Sequence, residues 1–415
     1  MKTPAISLIV LVLLASSCIE YQEQTPREAN LRTLSAEEQE LSGACSLFAI
    51  DLFHQLNDEQ EPNQFFSPYS IHQALSMTMN GNENPVLQEY IKTLRYDNLS
   101  VDEANQGSRD LRQFLTQVDP KVDLKIANAI WYKEGYQVKA PFKSIANDFY
   151  DAEIAPLQMT DPNSVKVIND WVEKKTRGMI RDILDMIPTN AVMYLVNAIH
   201  YKADWKYQFD SKKTKKEPFY PSPNSPIQVD MMDLDKPSTF RTFWGNGYRY
   251  LEIPYSTGQY NMAILYNESG DLNQAAAALT FDNYKKWKEE SQEANFILKM
   301  PKFKMGYKIE NLADDLIAMG LVTPFGFHED NFTQLFDNPT DLLKISRVIH
   351  DALIEVDEKG SEAAAATVVE VVERFSAGPS VPPVITLDKP FIFMIQEKHS
   401  GAILFMGKLG DPSKL

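Results

Sequence analysis

The chain has 415 residues, of which 44% are hydrophobic and 24% are charged, a balance typical of a soluble globular protein. This length is enough for one large domain or for two ordinary ones. A formal net charge of −16 argues against a nucleic-acid partner, because phosphate binding needs a basic surface.

Residues 1–17 are predicted to form a signal peptide. Lys2 precedes the apolar run from Ile6 to Ala15, and two serines lead to Cys18. The run is shorter than the roughly 20 residues that a membrane-spanning helix needs. A cysteine after small residues resembles the bacterial lipobox, although Ala15 stands where that pattern prefers a bulky aliphatic residue. We expect Cys18 to be lipidated, and simple secretion is the alternative.

The export signal predicts where the protein is found. With a lipid on Cys18 it is a bacterial outer-membrane or cell-surface lipoprotein, and without one it is extracellular or periplasmic. The membrane is then contacted through the lipid anchor alone. Residues 18–38 are polar and lack apolar periodicity, so they are predicted to form a flexible tether before a single domain at 39–415. Cys45 is expected to be a small buried side chain.

The domain begins with helical patterns and continues with many strands. Helices are predicted at Ser46–Leu56, after Ser67 up to the stop at Gly81, and at Ser164–Ile180. Strands are predicted at Lys125–Tyr132, Ala191–Tyr201, Arg249–Tyr255, Gln259–Asn267, Ala294–Met305 and Pro390–Leu409, the last being a hairpin around the sequence EKHSG. This order indicates a mixed α+β domain.

The sequence carries no recognisable catalytic or metal-binding motif. Its six histidines lack zinc-site spacing, and no G-x-S-x-G, H-E-x-x-H, phosphate-binding or dinucleotide-binding pattern is present. We therefore expect no catalytic residues, no metal and no cofactor, and we do not expect an enzyme.

Seven segments in order resemble the serpin family and cover the chain from about Leu41 to Asp411. They are NQFFSPYSIHQALSM, INDWVEKKTRGMI, LVNAIHYKADWKYQF, YLEIPY, MPKFK, EVDEKGSEAAAAT and the pair DKPFIFMI with AILFMGKLGDP. The resemblance implies an α+β monomer with three β-sheets, eight or nine helices and an exposed reactive-centre loop at about 358–380.

The resemblance also implies a function. A protease cleaves the loop of an inhibitory serpin and forms a covalent acyl-enzyme, after which the loop inserts as a strand into the central sheet and distorts the attached protease. The expected target is a serine protease, with trypsin-like enzymes favoured, and papain-like cysteine proteases are a further possible target. The alternative is a non-inhibitory serpin that acts as a protease substrate or as a binding protein.

The start of the loop is suited to insertion. Gly360 is expected to act as a hinge, since glycine accepts large backbone changes. Side chains alternate between the two faces of a strand. One set is uncharged and is expected to be buried, and it contains Ser361, Ala363, Ala365, Thr367, Val369 and Val371. The other set can face solvent, and it contains Glu362, Ala364, Ala366, Val368, Glu370 and Val372.

Family spacing from Glu358 implies cleavage between Arg374 and Phe375. An arginine before the cut suits a trypsin-like pocket, but the family often has serine after it. Cleavage between Phe375 and Ser376, which suits chymotrypsin-like enzymes, remains the alternative.

Further residues match family positions that control opening of the central sheet. The resemblance implies a buried polar cluster, called the shutter, made of Ser67, Ser70, Asn197 and His350. It places Trp205 at the breach, where the loop enters the sheet. It also implies an ion pair at this point between Glu358 and Lys302.

Overall fold

The computed structural model describes residues 28–188, 191–337, 342–361 and 382–415. The predicted signal peptide, Cys18, the hinge residues from Ala363 to Thr367 and the reactive-bond residues Arg374, Phe375 and Ser376 lie outside these ranges.

Nine α-helices lie within the described ranges, in agreement with the expected eight or nine. They are α1 (Ala36–Leu56), α2 (Pro68–Met79), α3 (Val86–Thr93), α4 (Val101–Gln117), α5 (Ala140–Tyr150), α6 (Asn163–Lys175), α7 (Leu272–Ala278), α8 (Phe281–Glu290) and α9 (Ala313–Ala318). Serine N-caps determine where the first two helices begin. Ser35 forms a capping box with Glu38, and Ser67 accepts a hydrogen bond from the backbone of Ser70 ahead of Pro68.

Sixteen strands lie within the same ranges. They are β1 (Asn63–Phe66), β2 (Asp123–Lys133), β3 (Ala152–Leu157), β4 (Met193–Asp204), β5 (Lys215–Phe219), β6 (Ile227–Asp233), β7 (Ser238–Gly245), β8 (Tyr248–Pro254), β9 (Tyr260–Asn267), β10 (Gln292–Pro301), β11 (Phe303–Ile309), β12 (His350–Val356), β13 (Gly360–Ser361), β14 (Val384–Thr386), β15 (Phe391–Glu397) and β16 (Ile403–Leu409).

The strands form three sheets, as the resemblance implied. The central sheet has the order β11-β12-β13-β4-β2-β3, in which β2 and β3 are parallel and the other neighbours are antiparallel. A second sheet runs β1-β16-β15-β9-β8-β7 to the first half of β10. The second half of β10 pairs with β6 and β14 and so begins the third sheet.

Both faces of β4 are covered, which explains its almost wholly apolar sequence. Ile199, Tyr201 and Ala203 belong to the main core between the central and second sheets. Tyr194 and Val196 belong to a smaller core on the opposite face, under α6. The predicted hairpin at the carboxyl end is confirmed as β15 and β16, and every residue of both strands is buried.

Several predicted boundaries were wrong. The first predicted helix, Ser46–Leu56, begins ten residues earlier, at Ala36. The folded part begins before residue 39, because α1 starts at Ala36 and the backbone of Asn30 already donates to the carbonyl of Val118 over 2.7 Å. The third predicted helix ends at Lys175 rather than at Ile180, since Arg177 and Gly178 adopt the left-handed conformation. The strand predicted at 294–305 is two strands separated at Lys302. No helix in the described ranges has the length and apolarity to cross a membrane.

Candidate functional site

The candidate site is the gap between β4 and β12, which we call the strand slot. The two-residue strand β13 occupies its upper end, where Gly360 pairs with Asp204 and Ser361 pairs with both Ala203 and Val356. Below Ser361 the walls of the slot enclose a cavity of only about 20 Å³. That volume holds about one water molecule, so this cavity has no room for further residues of the loop.

Gly360 is needed for a steric reason. A Cβ added here would overlap the carbonyl oxygen of Ala203 and lie 2.6 Å from the Cα of Asp204. The φ angle of Gly360 is not in the left-handed region. The described conformation therefore requires glycine because two backbones approach closely, whereas the sequence had suggested conformational freedom.

Trp205 holds the chain segment that leads into the slot. Its indole Nε1 donates to the carbonyl of Asp357 over 2.8 Å, and its backbone nitrogen donates to the carbonyl of Lys359 over 2.7 Å. The indole stacks on Tyr255 with 4.3 Å between ring centroids, and the Tyr255 hydroxyl lies 2.8 Å from the Ser361 Oγ. All of these contacts fix the turn before β13 at the top of the sheet.

Glu358 has the expected partner and one more. Lys302 Nζ donates to its Oε2 over 2.8 Å, and Thr214 Oγ1 donates to its Oε1 over 2.7 Å. Burial by itself would raise the pKa of Glu358. These two hydrogen bonds, together with a backbone hydrogen bond and the positive charge of Lys302, outweigh burial and hold the pKa below its ordinary value. Glu358 is therefore a charged, doubly hydrogen-bonded anchor at the mouth of the slot.

The shutter residues form two hydrogen-bonded branches that meet at the start of α2. In the first, the backbone nitrogen of Ser67 donates to His350 Nε2 over 2.9 Å. In the second, Ser70 Oγ donates to Asn197 Oδ1. The capping bond from the Ser70 backbone to Ser67 Oγ, 3.2 Å long, joins the branches. One end of α2 thus contacts both strands that line the slot.

Burial strongly affects His350. It lowers the pKa of the imidazole to about 4. The neutral ring is also what the geometry requires, since Nε2 accepts a hydrogen bond from Ser67 and must lack a proton.

Three residues of the site were missed by the sequence reasoning. Asn128 on β2 accepts from Asn197 over 2.5 Å and donates to the carbonyl of Tyr150 over 2.7 Å, which extends the shutter to α5. Tyr255 and Thr214 are the others. Asn128 had a usable signal, because it is a single polar residue inside the apolar strand sequence KIANAIWY. The sequences around Tyr255 and Thr214 contain no comparable signal.

An α+β protein whose central sheet admits the start of a following loop, above a buried polar cluster that touches both flanking strands, has the architecture of a serpin. The family model described as "Serpin (serine protease inhibitor)" matches residues 44–412, and the chain belongs to the serpin family.

Known relatives agree with this assignment. A serpin-like protein of Methanosarcina acetivorans is 31% identical over 417 residues, which cover 97% of this chain and 96% of the relative. The crystal structure of human thyroxine-binding globulin has 27% identity and a TM-score of 0.82, covering 91% of this chain and 100% of that one. The thermophilic serpin tengpin in its native state has 27% identity and a TM-score of 0.80, covering 93% of this chain and 97% of that one.

Proposed function

We propose that this serpin acts as a monomeric suicide inhibitor of trypsin-like serine proteases, with cleavage between Arg374 and Phe375. The observation that carries the proposal is β13, in which Ser361 already pairs with both walls of the strand slot and Gly360 pairs with β4. Ser361 is buried there, and it is the first residue of the uncharged set that was predicted to face inward.

The register of β13 supports insertion of the rest of the loop. Six residues after Ser361 is Thr367, and six residues before its partners Ala203 and Val356 are Asn197 and His350. If either pairing continues along the loop, an inserted Thr367 would lie between Asn197 on β4 and His350 on β12. Continuing along β4, Val371 reaches the level of Met193, where that strand begins. The loop before Arg374 thus matches the length of β4.

The length match allows insertion of the loop to follow its cleavage by the protease. The catalytic serine Oγ of the protease attacks the carbonyl carbon of Arg374, the peptide bond to Phe375 breaks, and the amine of Phe375 leaves as an ester forms. Hydrolysis of the ester would release the protease. Insertion competes with it, because displacing the acyl group by about 1 Å from the oxyanion hole and base already costs about 100-fold in rate.

Mixing the protein with trypsin tests the proposal. We expect a covalent complex that survives SDS and a released carboxyl-terminal fragment that begins at Phe375 by mass spectrometry. Arg374→Ala should lose most trypsin inhibition, since its side chain no longer fills the primary pocket. A fragment beginning at Ser376 would instead assign cleavage to Phe375 and a chymotrypsin-like target.

A non-inhibitory role is the second candidate, favoured by the similarity to thyroxine-binding globulin. It predicts a chain that is cleaved in the loop without any covalent complex. SDS gel electrophoresis of the mixture with trypsin therefore distinguishes the two functions.

We also propose that the protein is exported and anchored through a lipid on Cys18. The first described hydrogen bond to the domain comes from Asn30, and the eleven residues between Cys18 and Asn30 could span up to about 40 Å. The protein should partition into detergent, and Cys18→Ala should abolish this partitioning. Soluble parent protein with an amino terminus beyond Cys18 would contradict the anchor.

A further inference from the structure

The cavity in the strand slot is closed on one side by the turn at residues 176–180, which follows α6. Met179 and Ile180 of this turn line the cavity. Ile180 belongs to the smaller core under α6, whereas Phe65 and Phe405, which also line the cavity, belong to the main core. The cavity therefore lies between the two faces of the central sheet, and the turn forms its wall on the α6 side.

Hydrogen bonds within the turn fix its conformation. Thr176 is buried, and its Oγ1 donates to the carbonyl of Val172 over 2.8 Å. The same Oγ1 accepts from the backbone nitrogen of Ile180 over 3.1 Å. The backbone nitrogen of Met179 donates to the carbonyl of Thr176, also over 3.1 Å. The turn is therefore ordered, and it holds the side chain of Met179 against the sheet.

Two polar contacts attach the turn to the central sheet. The side chain of His200 on β4 is fully buried, and its Nδ1 lies 3.2 Å from Met179 Sδ. Because the thioether sulfur carries no hydrogen, the imidazole nitrogen is the donor in this contact. Arg177 Nη1 lies 2.8 Å from Asp123 Oδ2 at the start of β2, and His200 Nε2 lies 3.5 Å from the same oxygen. The sulfur of Met179 is thus part of the attachment between the turn and the sheet.

The sulfur of Met179 can be oxidised where it stands. Its side chain is half-buried, so a molecule as small as hydrogen peroxide can reach it. In the reaction an S–O bond forms, the O–O bond of the peroxide breaks and water leaves. The sulfur is oxidised by two electrons and the peroxide is reduced, which gives methionine sulfoxide.

The contact with His200 has no room for the sulfoxide oxygen. An N–H···O hydrogen bond needs about 2.7–3.2 Å between nitrogen and oxygen. Sδ and Nδ1 are themselves only 3.2 Å apart, so an oxygen bonded to Sδ and directed at Nδ1 would lie far too close. The cavity that Met179 lines offers only about 20 Å³. The oxidised side chain must therefore leave its position.

We propose that Met179 is a site of reversible oxidation by peroxides, and that its sulfoxide detaches the turn at residues 176–180 from the central sheet. The polar sulfoxide is stabilised by water rather than by the apolar lining of the cavity, so the side chain moves into solvent. The strand slot then loses its wall on the α6 side. With respect to loop insertion, the inference rests on the proposed function: the oxidised protein accepts a new strand faster.

The test compares the parent with Met179→Leu, since leucine keeps the apolar volume but carries no sulfur. Both proteins are treated with hydrogen peroxide, and mass spectrometry measures the added oxygen on Met179. The remaining methionines meet the peroxide equally in both proteins, so the variant controls for them. In the oxidised parent the backbone amide of Ile180 should exchange its hydrogen at least about tenfold faster. The exchange rate in the variant should not respond to peroxide.

Strand insertion is measured separately, with a synthetic peptide of the sequence SEAAAATVVEVV, residues 361–372. The oxidised parent should incorporate this peptide at least about tenfold faster than the unoxidised parent. Methionine sulfoxide reductase should restore both the exchange rate and the incorporation rate, because it regenerates the thioether. This reversal uses the parent chain alone and is independent of how the variant folds.

Equal responses of the parent and Met179→Leu to peroxide would overturn the proposal, and so would a folded parent in which Met179 stays unoxidised. Faster amide exchange without faster peptide incorporation would overturn the link to insertion. Failure of the unoxidised parent to form an SDS-stable complex with trypsin would overturn the proposed function, whereas the oxidation site would still be supported by the exchange measurement.

Discussion

The backbone carbonyl of Ala203 occupies the space where a side chain on residue 360 would lie, so Gly360 and Ala203 are in direct backbone contact at the top of the strand slot. This contact allows the chain to turn after β12 and enter the slot beside β4.

Gly360→Ala should therefore displace β13. The backbone amides of Trp205 and Phe209 donate to the carbonyls of Lys359 and Glu358. Their hydrogen exchange should become faster, corresponding to a fall of at least about 1 kcal/mol in the free energy of local opening. Gly43→Ala is the matched control, because nothing lies within 4 Å of its added Cβ and it lies inside α1. The control should be neutral or slightly stabilising. Unchanged exchange in Gly360→Ala would contradict the steric argument.

The contact between Tyr255 and Ser361 should be measurable as a coupling energy. Tyr255→Phe and Ser361→Ala each remove one hydroxyl from a buried pair 2.8 Å apart. Each change should cost about 1 kcal/mol in the free energy of unfolding, and the double variant should cost about 1 kcal/mol less than the sum. Urea unfolding of the three variants and the parent gives the cycle. Strict additivity would mean that the two hydroxyls do not stabilise one another.

His350 should make stability depend on pH. Its pKa falls from about 6.5 when unfolded to about 4 when folded, because the ring is buried. The unfolded chain therefore binds more protons, so the contribution is complete above pH 6.5 and is lost as pH falls towards 4. The loss is up to about 3 kcal/mol.

The variant His350→Gln isolates this contribution, since a glutamine oxygen can still accept from Ser67. Its free energy of unfolding should fall less steeply than that of the parent between pH 6.5 and 4. Some dependence should remain, because burial also lowers the pKa of His72 to about 4. Parallel curves for the variant and the parent would show that His350 does not titrate in this range.

Loop insertion should be sensitive to the side chain at position 367. By the register of β13, Thr367→Arg would place a guanidinium between Asn197 and His350, where an unpaired charge is costly. Acylation at Arg374 should be unaffected but insertion should slow, so the variant should be cleaved and trap little protease. Glu362→Arg is the control. The same register would place residue 362 between Lys202 and Glu355, which are both half-buried and charged, so an arginine should be tolerated there. The measurement is moles of inhibitor consumed per mole of trypsin inactivated, and equal values for both variants would refute the assigned faces.

The sequence by itself determined the features that depend on neighbouring residues. Ser67 and Pro68 specify the start of α2, because cap and first turn lie within three residues of each other. The hairpin of β15 and β16 follows from two apolar runs around a short turn. The motif from Glu355 to Thr367 indicated the family, and with it the pairing of Glu358 with Lys302.

The tertiary structure alone decided which distant groups complete the site. Tyr255 contacts Ser361 across 106 positions in the chain, and Thr214 contacts Glu358 across 144. No local periodicity encodes such contacts, because they depend on which strands become neighbours in the sheet. Gly360 shows the difference most clearly. Its sequence suggested a flexible hinge, but the requirement for glycine comes from the carbonyl of Ala203, a group that only the folded sheet brings next to it.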